Sequence, residues 1–294
     1  MADSVTIVEV GPRDGLQNEK AEIATTDKLA LIGMLADAGL SRIEATAFVS
    51  PRWVSQMADH EAVMRGVDRR PGVTYSALAP NEKGAEAALA AGAQALAVFT
   101  AASESFCRKN TNCSIAESIE RFRPVMALAE RTGVPVRGYV SCALDCPYEG
   151  EIAPQAVAVI TAELLALGCN EIALSDTLGR GTPERTAAMV EAALRRAPAA
   201  MLAGHFHDTS GRAIANVAAA WELGLRVFDG SVGGLGGCPY APGAAGNLAT
   251  ERLVAHFAAR GIETGVDLVQ LSTAAQWIAA HVQRTMTTGA KSRA

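Results

Sequence analysis

The stretch VTIVEVGPRDGLQNEKAEIATTDKLALIGMLADAGLSRIEATAF, residues 5–48, forms one complete strand–helix–strand pattern. Short runs rich in β-branched and apolar residues open and close it, at 5–11 and 42–48. Between them, apolar residues in 25–39 recur every three or four positions, as on one face of a helix, and Gly39 is a typical residue at a helix end. Two strands joined through a helix run parallel in one sheet. The stretch therefore predicts a parallel sheet covered by helices.

The same alternation recurs along the rest of the chain, with further helix patterns at 81–92, 182–197 and 211–224. Eight candidate strands lie at 5–11, 42–48, 73–79, 95–101, 136–142, 171–177, 202–208 and 227–233. Eight such repeats fit a closed (β/α)8 barrel better than an open sheet. The sequence therefore predicts an α/β fold, a single TIM-barrel domain over about 5–262 with a helical extension over about 265–287. The apolar stripe of that extension could pack under the barrel or against a second subunit.

The composition narrows the class of protein. With 294 residues, 49% of them hydrophobic and 19% charged, the chain reads as an ordinary globular protein. A net charge of −5 without a dense stripe of lysine and arginine argues against a nucleic-acid partner. The sequence shows neither a signal-peptide pattern nor an apolar run long enough to span a membrane, and its six cysteines form no CxxC pair. We therefore expect no membrane partner and a reducing, cytoplasmic location.

Polar side chains collect where the predicted strands end, and active sites of TIM barrels lie at that end. They are Arg13, Asp14, Gln17, Lys20, Glu44, Asp176, His205, His207 and Asp208. Asp176 and Asp208 are more typical of residues that position loops than of residues that react.

The pair His205 and His207 indicates a metal site. Alternating side chains along a strand place both imidazoles on one face, although two hydrogen-bonded core histidines would give the same pattern. Asp14 follows strand 1, which neighbours strand 8 in a closed barrel, and Asn247 lies at the far end of a glycine-rich loop. Such mixed nitrogen and oxygen ligands favour Mg²⁺ or Mn²⁺, with Zn²⁺ or Co²⁺ as alternatives.

Two further residues have a predicted catalytic role. Arg13 carries a permanent charge in a fixed fork of donors, which suits the stabilisation of an oxyanion or enolate. A structural ion pair with Glu44 is the alternative, and both hold if Glu44 orients Arg13. Cys238 lies in the glycine-rich stretch 230–251, where a partly exposed thiol near a cation could act as an acid or base. The alternative is a thiol that is merely tolerated there.

Several motifs closely resemble the 3-hydroxy-3-methylglutaryl-CoA lyase family, over about residues 5–287. They are VGPRDGLQNEK (10–20), IEATAFVSP (43–51), KNTNCSIAESIERF (109–122), VRGYVSCALDCPYEG (136–150), HFHDT (205–209) and GLGGCPYAPGAAGNLATE (234–251). The resemblance implies a carbon–carbon lyase that uses Mg²⁺ or Mn²⁺ in a retro-Claisen cleavage of 3-hydroxy-3-methylglutaryl-CoA to acetyl-CoA and acetoacetate. It also implies an acyl-CoA ligand, a homodimer, and a place in leucine degradation or ketone body formation.

The resemblance also implies roles for individual residues. It gives metal ligands at Asp14, His205, His207 and Asn247, catalytic positions at Arg13, Glu44, His205 and Cys238, and substrate-side positions at Arg13, Gln17, Lys20 and Glu251. A base, His205 or a water, would remove the hydroxyl proton, and Arg13 would stabilise the thioester enolate. Cys238 would relay a proton to or from that enolate.

The sequence departs from the family pattern at several positions: Arg252 where an acidic residue is expected, Asp145 and Ser175 where glycine is, and Phe206 and Ser210. These departures leave open a related substrate such as citramalyl-CoA, or a free hydroxy acid. A Claisen synthase would use the same site in reverse. A metal-dependent hydrolase normally carries its His-x-His pair on strand 1, whereas here the pair lies on strand 7, which argues against that function. A non-catalytic barrel is disfavoured because all the proposed site residues are present.

Overall fold

A computed structural model describes residues 4–19, 21–236 and 246–291, with side chains as far as residue 283. Eight parallel strands close into a barrel in the order β1-β10-β9-β8-β5-β4-β3-β2. The barrel strands are β1 (Thr6–Glu9), β2 (Arg42–Ala47), β3 (Thr74–Leu78), β4 (Ala95–Ala101), β5 (Val136–Ser141), β8 (Glu171–Asp176), β9 (Leu202–Phe206) and β10 (Val227–Gly230). Two short strands, β6 (Asp145–Cys146) and β7 (Gly150–Glu151), pair as an antiparallel hairpin after β5. The predicted TIM barrel is confirmed.

Helices cover the outside of the barrel. They are α1 (Thr25–Asp37), α2 (His60–Gly66), α3 (Glu82–Ala90), α4 (Glu104–Thr111), α5 (Ile115–Thr132), α6 (Pro154–Leu167), α7 (Pro183–Leu194), α8 (Ala213–Glu222), α9 (Thr250–Ala258) and α10 (Leu268–Lys291). The side chains of Asn81, Ser103, Ser114 and Thr182 each accept a backbone N–H of the helix that follows. Such caps satisfy donors that a helix start leaves unpaired, which explains where these helices begin.

The first and last barrel strands are shorter than the sequence predicted, because the chain leaves the sheet where the polar residues begin. β1 ends at Glu9, and the next residues, Gly11–Gly15, form a π-helical turn. The amides of Gly11 and Val232 donate to the Glu9 carboxylate, at 2.7 and 2.9 Å. Those two amides therefore have a side-chain partner and do not continue the ladder.

Charged side chains occupy part of the barrel interior, which branched aliphatic residues usually fill. Glu171 accepts hydrogen bonds from the guanidinium of Arg42 at 2.8 and 2.9 Å and lies 2.9 Å from Arg137 Nε. Arg137 reaches across to Asp229 on β10, at 2.7 Å. Part of the interior is thus a chain of ion pairs that joins β2, β8, β5 and β10.

The C-terminal helix α10 packs beside α1 and α9 and against the short turn at Val232–Gly234, where Ala275 faces Gly233. The extension predicted from the sequence therefore lies along the side of the barrel and supports a loop at its mouth. In the described part of the chain, no helix combines the length and the apolarity that a membrane crossing requires.

Candidate active site

Three side chains converge at the mouth of the barrel. One ligand atom from each of Asp14, His205 and His207 lies within 4.8 Å of the others. Nε2 of His205 is 3.9 Å from Asp14 Oδ2, and Nε2 of His207 is 4.0 Å from the same oxygen. Both imidazoles are buried and Asp14 is half-buried. A carboxylate and two imidazoles thus face one common point.

The local backbone explains how these residues meet. In the turn after β1, the amides of Arg13, Asp14 and Gly15 all donate to the carbonyl of Val10, at 3.2, 2.7 and 3.2 Å. This tight turn directs the Asp14 side chain over the end of the neighbouring strands. His205 lies within β9 and His207 just beyond its end, so both face the barrel axis, as the alternation predicted.

Asn247 joins the cluster from the segment that follows β10. It pairs with His207 in an isolated antiparallel bridge, and the amide of Asp208 donates to Gly246 O at 2.7 Å. Asn247 Nδ2 donates to Asp14 Oδ2 at 2.8 Å. A half-turn of this amide group presents its carbonyl oxygen at the same position. The structure therefore brings together all four residues that the sequence indicated as metal ligands.

The electrostatics of the cluster keep two of its residues, Asp14 and His207, unprotonated near neutral pH. Burial opposes the charge of Asp14, but Arg13 and the two imidazoles outweigh burial and hold the pKa of this carboxyl below its usual range. Burial, followed by the charge of His205, lowers the pKa of His207 to about 4. Among the described residues, the buried Nδ1 of His207 has no hydrogen-bond partner. A carboxylate, two imidazoles and an amide fit a divalent cation that takes mixed nitrogen and oxygen ligands.

Arg13 is held beside the cluster by two carboxylates. Its Nε forms a buried ion pair with Glu44, and its Nη1 donates to Asp14 Oδ1 at 2.6 Å. The guanidinium also lies 5.6 Å from the centre of the Tyr139 ring. A structural ion pair with Glu44 and a role in stabilising an enolate are compatible for Arg13, because the ion pair fixes the guanidinium next to the candidate metal ligands.

Three residues of this site escaped the sequence analysis: Arg137, Tyr139 and Asp229. The Tyr139 hydroxyl donates to Glu44 Oε2 at 3.0 Å and accepts from Arg137 at 3.2 Å. Asp229 accepts from Arg137 at 2.7 Å and faces His205 Nδ1 at 3.0 Å. The sequence did contain a signal for these residues. Arg137 and Tyr139 are two positions apart in VRGYVS and so share one face of their strand, and Asp229 is a charged residue inside the strand VFDG.

These contacts form a ring inside the barrel that hydrogen bonds and ion pairs close, except where His205 Nε2 approaches Asp14 Oδ2 at 3.9 Å. Its members are, in order, Arg13, Asp14, His205, Asp229, Arg137, Tyr139 and Glu44. Each one restrains the next, so the ring fixes the orientation of both Arg13 and His205. Burial opposes the charge of Asp229, yet Arg137 and His205 lower the pKa of this carboxyl.

Two of the predicted substrate-side residues, Gln17 and Glu251, lie at the rim. Gln17 is half-buried at the end of the turn that carries Arg13. Glu251, in the first turn of α9, accepts the amide of Gly233 at 3.0 and 3.1 Å, so in this structure it braces a loop. Lys20 and Cys238 lie outside the described residues.

The two further aspartates position loops, as the sequence analysis expected. Asp176 accepts the amides of Arg180 and Gly181, at 3.3 and 2.8 Å. Asp208 accepts the amide of Ala213 at 3.0 Å and forms an ion pair with Arg252.

The other departures from the family pattern also have local structural partners. Asp145 forms an ion pair with Arg185, whose Nη1 lies 2.9 Å from Asp145 Oδ2. Ser210 donates to Gly179 O at 2.6 Å, Ser175 lies within β8, and Phe206 is buried. The side-chain partners of Asp145 and Ser210 lie outside the cluster of Asp14, His205 and His207, whereas Ser175 pairs with His205 between β8 and β9.

Comparison with known proteins decides the family. The family model HMGL-like matches residues 4–278. The mitochondrial hydroxymethylglutaryl-CoA lyase of Bos taurus is 55% identical over 95% of this chain and 86% of its own length. The chain belongs to the hydroxymethylglutaryl-CoA lyase family. Named relatives include both mitochondrial and cytoplasmic forms.

Solved structures of lyases from this family share the whole fold. The HMG-CoA lyase from Brucella melitensis is 56% identical and superposes with a TM-score of 0.95, over 96% of this chain and all of that one. An HMG-CoA lyase from Acinetobacter baumannii, in complex with coenzyme A and 3-methylmalate, is 37% identical, with a TM-score of 0.91 over 96% of this chain and 92% of that one.

Proposed function

We propose that this protein cleaves 3-hydroxy-3-methylglutaryl-CoA to acetyl-CoA and acetoacetate. The observation that carries this proposal is the cluster of Asp14, His205 and His207 with Arg13 fixed beside it, in a chain of the hydroxymethylglutaryl-CoA lyase family. Membership of the family indicates the substrate, and the cluster is a site that can bind a cation together with the oxygen atoms of that substrate.

Asp14, His205, His207 and Asn247 would hold a divalent cation, which we propose to be Mg²⁺ or Mn²⁺. When bound, such a cation would polarise substrate oxygens and lower the pKa of the tertiary hydroxyl. Two pKa values support these four residues as ligands. The pKa of Asp14 is lowered, so its carboxylate is charged, and the pKa of His207 is lowered to about 4, so its imidazole is neutral at neutral pH.

The proton of the tertiary hydroxyl must leave as the C2–C3 bond breaks. Because Asp229 occupies Nδ1 of His205, only Nε2 of His205 is free to act. A ligand role and a base role exclude each other at that one nitrogen. With His205 Nε2 on the cation, as we propose, the base is a water next to it; His205 is the base only if this nitrogen is not a ligand.

The electron pair of the broken bond passes to the thioester as an enolate. The guanidinium of Arg13, fixed by Glu44 and Asp14, presents its remaining N–H groups where that negative charge develops. Cys238, outside the described residues, is proposed to deliver the proton that converts the enolate to acetyl-CoA. Burial of the site limits water, which would otherwise weaken these interactions.

The test is product analysis with purified protein and Mg²⁺. We expect acetyl-CoA and acetoacetate in equal amounts from 3-hydroxy-3-methylglutaryl-CoA, and no release with the Asp14→Asn variant. Citramalyl-CoA is the comparison substrate, because Arg252 and the other departures from the family pattern leave a related acyl-CoA open. A higher kcat/KM for citramalyl-CoA would replace the proposed substrate, and no turnover of either ester would contradict a lyase function.

Three expectations of the sequence analysis stay predictions: a homodimer, a cytoplasmic location, and a role in leucine degradation or ketone body formation. Sedimentation of the purified protein tests the first, and fractionation of its native cells tests the second. Growth of a deletion strain on leucine tests the third.

A further inference from the structure

Glu9 is a fully buried carboxyl at the end of β1, and the proposed reaction gives it no part. Its Oε1 accepts the amide of Gly11 at 2.7 Å and the amide of Val232 at 2.9 Å, and its Oε2 pairs with the hydroxyl of Thr250 at 2.6 Å. This one side chain therefore joins the turn after β1, the turn after β10 and the first turn of α9. Burial of a carboxyl is costly unless such partners satisfy its oxygens, so a segment that moves away leaves a buried acceptor unpaired.

The turn that begins at Val232 is joined to the segment that carries Asn247. The amide of Ser231 donates to Leu248 O at 2.9 Å, and the carbonyl of Ser231 accepts the amide of Thr250 at 3.2 Å. These bonds lie on either side of the contact between Glu9 and the turn, because Ser231 precedes Val232 and Leu248 follows Asn247. The position of the Val232 amide therefore helps to set the position of Asn247.

The turn that begins at Gly11 carries Asp14. The amide of Asp14 donates to Val10 O at 2.7 Å, and a Cβ atom on Gly11 would lie only 2.6 Å from Glu9 Oε1, so the chain passes close to the carboxyl there. The two turns meet at their side chains, because Asn247 Nδ2 donates to Asp14 Oδ2 at 2.8 Å. One oxygen atom, Oε1, thus binds both turns that bring these two candidate ligands together.

We propose that Glu9 is a positioning residue for the cation site: its Oε1 sets the spacing of Asp14 and Asn247 because it holds both turns. This inference rests on the proposed function, which requires the cation. Glu9 acts through the two turns and is itself neither a ligand nor a catalytic residue. A purely structural Glu9 would contribute to stability and leave the affinity for a cation unchanged, so cation affinity distinguishes the two roles.

Substitution of Glu9 is the first test, with Mn²⁺ as the probe and electron paramagnetic resonance as the measurement. Glu9→Leu keeps a side chain of similar size but removes the acceptor, so the Kd for Mn²⁺ should rise about 10-fold. Glu9→Gln should keep a Kd close to the wild-type value, because its carbonyl oxygen can accept both amides and its amide group can donate to Thr250. Burial raises the pKa of Glu9 to about 8, so the carboxyl that glutamine replaces is itself largely uncharged at pH 7.

Val232→Pro tests the hydrogen bond itself. Proline has no amide to donate, and the start of this turn can accept it because the preceding residue, Ser231, is extended, with φ −123° and ψ 120°. Val232→Ala is the matched control, since it also loses the isopropyl group but keeps the amide. The proline variant should weaken Mn²⁺ binding as Glu9→Leu does, and the alanine variant should not.

Hydrogen exchange of the metal-free protein gives a readout that needs neither cation nor substrate. Amides in residues 11–15 and 231–236 should exchange faster in Glu9→Leu and Val232→Pro than in the wild type, and at the wild-type rate in Glu9→Gln. This pattern would show that both turns depend on the acceptor at Oε1.

Faster exchange with a wild-type Kd for Mn²⁺ in both Glu9→Leu and Val232→Pro would overturn the inference, because Glu9 would then be structural only. If Glu9→Leu does not fold, the proline and alanine variants of Val232 decide the question without it. Equal Mn²⁺ affinity in those two variants would overturn the inference as well.

Cleavage is measured separately from cation binding, so the two proposals fail in different ways. Mn²⁺ affinity that depends on Glu9, in a protein that does not cleave 3-hydroxy-3-methylglutaryl-CoA, rejects only the proposed reaction. Normal cleavage together with an unchanged Kd for Mn²⁺ in Glu9→Leu rejects only the role of Glu9.

Discussion

Nδ1 of His205 lies 3.0 Å from Oδ2 of Asp229, and both side chains are buried inside the barrel. Asp229 is itself held by Arg137 at 2.7 Å. The carboxylate therefore accepts the Nδ1 proton and turns Nε2 of His205 toward Asp14. Carboxylate partners of this kind fix the tautomer of metal-binding histidines and strengthen them as ligands.

Asp229→Asn should weaken cation binding while the fold is retained. Asparagine still offers an oxygen to Arg137. Its uncharged amide, however, cannot stabilise the partial positive charge that the His205 imidazole acquires when it binds a cation. We expect the Kd for Mn²⁺, measured by electron paramagnetic resonance, to rise about 10- to 100-fold. Asp68→Asn is the control, because Asp68 forms an exposed ion pair with Arg70. An unchanged Kd in Asp229→Asn would refute the positioning role of Asp229.

Arg13→Lys should reduce turnover far more than substrate affinity. Lysine keeps the charge but loses the fork that binds Glu44 and Asp14 together, so the donor is no longer fixed where the enolate forms. We expect kcat to fall about 100- to 1,000-fold with little change in KM. Steady-state acetoacetate release measures both constants, with the exposed Arg65→Lys as control. A fall below threefold would exclude Arg13 from enolate stabilisation.

Glu9 should make the stability of the protein depend on pH. Burial raises the pKa of this carboxyl to about 8 from 4.5, although Thr250 and two backbone amides donate to it. Between these two values the folded state binds the proton that the unfolded chain releases, so the free energy of unfolding falls as pH rises. The slope attributable to Glu9 is at most about 1.4 kcal/mol per pH unit.

Glu9→Gln removes this dependence and keeps the shape of the side chain. Urea unfolding of both proteins from pH 5 to 8.5 measures the difference. The stability of the variant relative to the wild type should increase steadily with pH. A constant difference across that range would show that Glu9 is ionised in the folded protein throughout.

Arg252→Ala should destabilise the protein through Asp208. Arg252 is about half exposed, so the ion pair itself contributes little, but Asp208 is buried and would lose its cationic partner. We expect a loss of about 1–2 kcal/mol in the free energy of unfolding. Arg65→Ala is the matched control, since its ion pair with Glu61 is exposed on both sides and should cost less than about 0.5 kcal/mol. Equal losses in both variants would contradict a specific role for the Arg252–Asp208 pair.

The fold could be predicted from the sequence because its signal is local and repeated. Each strand and helix leaves its own pattern of apolar spacing, and eight repeats leave few alternatives to a closed barrel. The ends of the first and last strands were less predictable. β1 stops at Glu9, whose side chain binds the amides of Gly11 and Val232, and Val232 lies far from Glu9 in the chain.

The candidate site was predictable where neighbouring residues in the sequence share one task, as with Arg13 and Asp14 or His205 and His207. Asp229 escaped because it is the one charged residue of its strand, and Arg137 and Tyr139 escaped because their acidic partners lie on other strands, far away in the sequence. Only the closure of the barrel brings β5, β9 and β10 close enough for the ring of contacts to form.

The central claim is that Asp14, His205 and His207 hold a divalent cation on which cleavage depends. Acetoacetate release from 3-hydroxy-3-methylglutaryl-CoA by metal-stripped protein, before and after addition of Mg²⁺ or Mn²⁺, tests it most directly. We predict no turnover without metal, full recovery with either cation, and no recovery in Asp14→Asn. Full turnover by the stripped wild-type protein, or equal recovery in Asp14→Asn, would contradict the claim.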